Sequence, residues 1–544
     1  MGLHHSHQIS DTIEAPCGPV RGYSHTFDDD KTVDCFLGIP YAKSPVGELR
    51  FKKPVPADSW IETRDCFKFG PRCPQNDELL GMFVNVVGKD EANCLTLNVI
   101  APNWLSKEFQ SGLPVMVFIH GGGFSVLSSS NFGDTTIARN LCTKDVVVVT
   151  INYRLGVLGF MTTGDETCKG NLGLWDQTLA LQWVQDNISS FGGDPKNVTI
   201  FGQSAGGASV DLLTLSPHSR DLFHRVIAMA GTAECDFAIR TNQQQATLTR
   251  EFARHLGWTG TDGDSKGLVE FFNKQSLYKI ELGISPIRGF HHSQAGKLYF
   301  VPNQDGDFFP RPLSILRKEA PKKSIMAGTT EYEGLFFIAL LSRSASGMKK
   351  FLKTVVRECD YGEKAEEVQN DIADFYTKGV DPKDKEKMTK QLVHLVGDYA
   401  INAGIFMYAK TMATLNHDVY FYSFDYCNHS GFGLFKWLMP FLGSTHCYEI
   451  RYVLGKGVFS KFSPNEEDKK VLELMTGFYT RFAKYGNPNE PETSLWSKHN
   501  HLEPYKHLKI GGSEEVSMVD DYQDRRLALW EEVRSKNLTR KFFL

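Results

Sequence analysis

The sequence predicts an α/β protein built on a mostly parallel sheet, and three features of its first half carry that prediction. Apolar, β-branched runs stop abruptly at polar or glycine-rich turns. A helix-length apolar stretch alternates with them. One short strand then runs straight into a Gly-x-Ser-x-Gly turn. Taken in order, Val115 to Ile119 reads as a strand that ends at His120-Gly121-Gly122-Gly123. Val146 to Ile151 is a second, ending at Asn152-Tyr153-Arg154. Trp175 to Ile188 reads as a helix with Leu179, Leu181, Trp183, Val184 and Ile188 on its apolar side. Phe191-Gly192-Gly193-Asp194-Pro195 breaks it. Val198 to Phe201 is the strand that leads into Gly202-Gln203-Ser204-Ala205-Gly206, and a helical stretch follows through Val210, Leu212 and Leu213.

Beyond about residue 235 the pattern weakens. Glu363 to Thr377 and Lys383 to Leu395 read as surface helices, and Lys470 to Tyr485 as a more amphipathic one. No repeat or low-complexity linker divides the 544 residues. The expectation is a flexible tail over 1–12 and a single domain over 13–540. Hydrophobic residues make up 41% and charged residues 23%, as in ordinary globular proteins. A net charge of −4 gives no reason to expect nucleic acid as a partner. The longest apolar runs fall far short of the roughly 20 residues that cross a bilayer. The N-terminus lacks a secretory signal's apolar core, so a cytoplasmic location is expected. Gly2 and Ser6 fit the N-myristoylation pattern, which would add weak, reversible membrane attachment. Eleven cysteines without a C-x-x-C pair imply neither a dense disulfide framework nor the common zinc motifs.

Gly202-x-Ser204-x-Gly206, placed between a strand and a helix, fits a nucleophile elbow. The nucleophile's backbone is strained in such a turn, and neighbouring side chains would collide with the adjoining strand and helix. Ser204 would sit at a helix N-terminus, where peptide dipoles favour developing negative charge. Attack on an ester carbonyl creates an oxyanion that needs fixed N–H donors. Gly122, Gly123 and Ala205 are the proposed ones, because consecutive glycines let backbone amides approach closely. The glycine run lacks the Gly-Lys-Ser/Thr ending of a phosphate cradle. A serine hydroxyl also needs a base, and the base an orienting carboxylate. Spacing alone does not choose one histidine from seventeen. The order serine, acid, histidine permits His446, but it does not separate it from His429 or His507.

From about residue 15 to 535 the chain resembles the type-B carboxylesterase/cholinesterase family. The resemblance rests on Phe36 to Ala42, Leu49 to Phe51, Asn171 to Gln177, Phe191 to Pro195, the Ser204 segment and the block from His446 to Gly455. It implies an α/β-hydrolase fold with long insertions forming a gorge over the site. By the same resemblance Ser204 is the nucleophile, His446 the base and Glu333 the acid, with Glu331 as the competing acid. Cys73 and Cys94 take the positions of the family's first disulfide. The implied activity is hydrolysis of small-molecule carboxylic esters through an acyl-enzyme, without cofactor or metal. An acyltransferase and a non-catalytic adhesion protein are the alternatives. Several positions depart from the family pattern. Gln203 replaces a glutamate beside the nucleophile, removing a negative charge near the imidazolium that forms. Ala92-Asn93 replace Glu-Asp, which removes the expected ion-pair partner of Arg50. Ala230 replaces a common serine. No tryptophan lies between Cys73 and Cys94 to bind quaternary ammonium by cation–π attraction, which speaks against an acetylcholinesterase.

Overall fold

The structure is a computed structural model that describes residues 8–27, 31–78, 87–285, 289–290, 298–338, 345–458 and 460–539. Gly2, the myristoylation candidate, lies outside the described residues. The strands in chain order are β1 (Gln8–Ala15), β2 (Gly18–Thr26), β3 (Thr32–Pro40), β4 (Arg64–Asp65), β5 (Thr96–Pro102) and β6 (Leu113–Ile119). They continue with β7 (Val147–Ile151), β8 (Gly193–Gln203), β9 (Arg225–Met229), β10 (Arg240–Thr241) and β11 (Asn303–Gln304). The last are β12 (Ser324–Thr330), β13 (Asp418–Phe424), β14 (Lys506–Ile510) and β15 (Val516–Asp520).

Thirteen of these strands form one sheet in the order β1-β2-β3-β5-β7-β6-β8-β9-β12-β13-β14-β15, with β4 beside β2. From β7 to β14 every neighbouring pair is parallel. The flanks are antiparallel except for the short β4, which runs parallel to β2. The sheet is therefore mixed with a parallel centre, in keeping with the expected α/β-hydrolase fold on a mostly parallel sheet. Short links such as Ala15–Gly18 can join only antiparallel neighbours, whereas parallel neighbours need a crossover. The central strands β5, β6 and β7 are buried along their whole length, which explains their unbroken apolar runs.

Chain polarity brings the functional loops to one edge. Parallel strands end on the same side, and α/β proteins place their sites outside those carboxyl ends. The four helices that follow β6, β7 and β8 are α1 (Thr135–Asn140), α2 (Gly156–Phe160), α3 (Leu172–Asn187) and α4 (Ala205–Leu215). The expected helix at Trp175 to Ile188 begins three residues earlier, at Leu172. The later helices fall at Ala365–Thr377, Lys385–Gly397 and Glu466–Tyr485. Of the flexible tail expected over 1–12, residues 8–12 are corrected to strand: they belong to β1, where Ile9 is exposed and Ser10 buried, so no apolar alternation marks the strand.

Buried charges lock the layers. Arg154 grips Asp176 of α3 at 2.6 and 2.8 Å, and Arg317 grips Asp211 of α4 at 2.8 and 3.0 Å. Asp211 also accepts the Ala233 N–H, which ties α4 to the loop after β9. Removing one partner from a buried pair of this kind costs about 3–5 kcal/mol. The Arg50 pairing is a second correction. Arg50 binds Glu91 at 2.5 and 2.9 Å, so the residue before Ala92 supplies the carboxylate the resemblance seemed to remove.

Candidate active site

The elbow is the turn between β8 and α4. Ser204 stands at φ +60° and ψ −124°, outside the ordinary regions, and its N–H is held by the Met229 carbonyl at 2.8 Å. Two glycines permit that conformation. A Cβ on Gly206 would lie 2.1 Å from the Ile119 carbonyl oxygen, and one on Gly231 would lie 1.9 Å from the Ser204 carbonyl oxygen. The Ser204 side chain thus projects at the N-terminus of α4, beside the first free N–H groups of that helix.

The loop after β6 lies alongside. Gly122 and Gly123 have φ of +101° and +60°, and a Cβ on Gly122 would strike the Val126 carbonyl oxygen at 2.1 Å. His120, just before them, is buried and stacked on Tyr153 with ring centroids 4.5 Å apart. Burial pulls its pKa down to about 4, so it is a neutral spacer near neutrality. The Tyr153 hydroxyl donates to the His120 carbonyl at 2.8 Å and pins the loop from below.

Glu333 opens the helix Glu333–Ile338, three residues past the end of β12. It is fully buried; Oε1 accepts the Thr330 N–H at 2.7 Å and Oε2 lies 2.6 Å from His446 Nδ1. His446 arrives from a long excursion after β13. Its loop is sewn to the acid's loop by the Tyr332 N–H donating to the Ser444 carbonyl at 2.8 Å, and by the Phe336 N–H donating to Thr445 Oγ1 at 2.9 Å. With Nδ1 engaged by the carboxylate, Nε2 is the nitrogen left to act as an acceptor. Phe337 lies against the imidazole with centroids 5.0 Å apart.

Ser204, His446, Gly122 and Gly123 all line one cavity of about 720 Å³. Glu331, the competing acid, is not among the groups bonded to His446; its N–H donates to the Phe424 carbonyl. His429 lies in a separate segment, and His507 is in β14 with Nδ1 on the Tyr505 carbonyl at 2.9 Å. Cys73 and Cys94 are joined by a disulfide.

Gln203, the residue before Ser204, contacts His446 directly. Its Nε2 is 3.4 Å from both ring nitrogens, and its Oε1 accepts from Cys447 Sγ at 3.1 Å. A group the sequence reading passed over lies close by. Glu449 is completely buried, and neither carboxyl oxygen meets a hydrogen-bond partner on another described residue. Desolvation, then the nearby Glu333 charge, pushes its pKa well above the carboxylate range. Nothing in the sequence marks this one acid among 64 acidic residues.

Glu449 carries a stability prediction. Its folded pKa is raised, so its full contribution is present below the unfolded carboxyl pKa and is lost as pH rises through the folded value. Glutamine is neutral throughout. Glu449→Gln is expected to match the wild-type thermal midpoint near pH 4 and to exceed it by a margin that grows toward pH 9. A margin that is constant with pH would show that Glu449 is ionised in the folded protein.

A parallel-centred sheet flanked by helices, a strained serine elbow and a histidine–acid pair beyond the strand ends defines an α/β-hydrolase. A sequence model of the carboxylesterase family matches residues 9–530. An esterase of Caenorhabditis elegans, cest-33, is 49% identical over 97% of this chain and 94% of its own. Gut esterase 1 of the same organism is 32% identical over 96% and 93%, and mouse neuroligin-2 is 32% identical over 96% of this chain and 67% of its own. The chain belongs to the carboxylesterase family. It is a carboxylic ester hydrolase.

Proposed function

We propose that the chain hydrolyses uncharged, predominantly apolar esters by two acyl transfers through Ser204. Ser204 Oγ attacks the ester carbonyl carbon as His446 Nε2 takes its proton, and Glu333 steadies the imidazolium from Nδ1. The Gly122, Gly123 and Ala205 N–H groups donate to the oxyanion. The tetrahedral intermediate collapses, the C–O bond to the alcohol breaks, and the alcohol leaves with the proton from His446. Water then gives a proton to the same nitrogen and attacks the acyl carbon, releasing the acid and restoring Ser204.

The observation that carries the reading is the 2.6 Å contact between His446 Nδ1 and Glu333, at the edge of the cavity that Ser204 also lines. The cavity's chemistry supports the substrate class. Leu155, Val157, Phe237, Leu298, Phe336 and Phe337 dominate its wall. Of the acids on it, Glu281 is paired with Lys89 and Asp236 with Arg534. Among the described residues no tryptophan contributes to the lining. About 720 Å³ falls within the range of sites that enclose drug-sized ligands.

Labelling with a fluorophosphonate followed by peptide mapping tests the nucleophile, and modification is expected at Ser204. Absence of labelling would favour the non-catalytic adhesion alternative. A p-nitrophenyl acyl series beside a choline ester tests the substrate class. Efficiency is expected to rise from acetate toward medium chains and to be lowest for the choline ester. The opposite order would refute the apolar-ester reading while leaving the nucleophile intact.

A further inference from the structure

We propose that His25, Cys35 and Asp134 form a zinc site that fastens the N-terminal strands to the segment entering α1. Three elements converge on it for simple geometric reasons. In the antiparallel β2–β3 pair, Tyr23 stands opposite Cys35 and His25 opposite Val33. Side chains alternate along a strand, so Tyr23 and His25 share a face, and Cys35, paired with Tyr23, points to the same side. Asp134 is brought against that face from a hundred residues further on.

A ring nitrogen of His25, Cys35 Sγ and an Asp134 carboxylate oxygen lie within 4.8 Å of one another. The His25 Nε2 to Asp134 Oδ2 separation is 3.2 Å. With metal–ligand bonds of about 2.0–2.1 Å, that separation subtends an angle of roughly 100°, close to tetrahedral. A nitrogen, a sulfur and a carboxylate oxygen form a donor set suited to Zn²⁺, with a fourth position left for water. The charges balance, because the Cys35 thiol gives its proton to solvent as the thiolate–metal bond forms, and thiolate plus carboxylate neutralise the dication.

The surroundings suit a held ligand set. Asp134 occupies the N-cap position of α1, yet its side chain makes no cap hydrogen bond and is turned toward the strands. The Tyr23 hydroxyl donates to Asp134 Oδ2 at 2.6 Å, and Thr135 Oγ1 lies 3.3 Å from both Asp134 Oδ2 and His25 Nε2. Partners of this kind orient ligands around a metal. Cys35 is fully buried, while the His25 and Asp134 side chains keep 10% and 19% of their exposure, which gives an ion a route in. Lys456 lies close enough to Asp134 to feel its charge. It offers the competing account, in which a hydrogen-bonded Tyr23–Asp134–His25 cluster is balanced by an ammonium and needs no metal.

Titration of the chelator-treated full chain with Zn²⁺ and with Co²⁺ separates the two accounts. The zinc site predicts uptake of one equivalent, a raised thermal midpoint, and a thiolate-to-cobalt charge-transfer band in the near ultraviolet. Cys35→Ser is expected to abolish the band, and His25→Gln to weaken binding at least tenfold. Ester turnover should survive in both variants, because neither residue lines the catalytic cavity. If Cys35→Ser fails to fold, His25→Gln and Asp134→Asn carry the same comparison. Failure to take up one equivalent would overturn the proposal. So would uptake and a band that all of these variants leave unchanged.

Discussion

Ser204→Ala is expected to lower ester turnover by roughly four to six orders of magnitude while leaving the thermal midpoint unchanged. The size of the effect follows from the role. Without Oγ there is no acyl-enzyme, and the residual rate comes only from the cavity and the oxyanion donors acting on a water molecule. Stability should hold because the φ of +60° at position 204 burdens serine and alanine alike, and the flanking glycines that permit it are untouched. Fluorophosphonate labelling should vanish in parallel. Residues that act as a unit are strongly non-additive, so Ser204→Ala combined with His446→Ala should be scarcely slower than either single variant. Single-turnover assays with a p-nitrophenyl ester read both results. Turnover near wild type in Ser204→Ala would end the assignment of the nucleophile.

The parts of this site differ in how openly the sequence declares them. The elbow and the glycine run are local: each is a few residues whose spacing answers one steric demand, and each abuts an apolar run that reads as a strand. The acid and the base are not local. Their strands, β12 and β13, escaped the reading of residue pattern. β12 is Ser-Ile-Met-Ala-Gly-Thr-Thr, with small and polar residues in a fully enclosed position and no alternation to detect. Gly328 is there because the Tyr422 ring of the next strand fills the space where a Cβ would go, at 2.4 Å. Tertiary packing of this sort leaves no periodic trace. Family resemblance therefore supplied Glu333 and His446, and the folded chain brings the two into contact. The same resemblance misled at Arg50, because it tracks positions, whereas an ion pair needs only a carboxylate within reach. Glu449 shows the further limit: the burial and the neighbouring Glu333 charge that raise its pKa belong to the folded surroundings and leave no mark on its own stretch of sequence.

Glu333→Gln is the sharpest test of the remaining role. The glutamine keeps the shape of the side chain, and its amide oxygen can still accept the Thr330 N–H. Its NH₂ would then face His446 Nδ1, a position now taken by an acceptor 2.6 Å away. Facing a donor, Nδ1 must itself accept, so the ring proton moves to Nε2 and that nitrogen can no longer receive the Ser204 proton. The stabilising charge beside the imidazolium is lost as well. Together these predict a fall in kcat of about 10³–10⁴ with little change in KM. Glu331→Gln should stay within a few-fold of wild type, since Glu331 makes no bond to the histidine. Glu333→Gln also removes the like charge beside Glu449. Glu333→Gln should therefore retain its thermal midpoint at alkaline pH even as activity collapses. That divergence is the mark of an orienting acid, because a merely structural carboxylate would lose stability and turnover together.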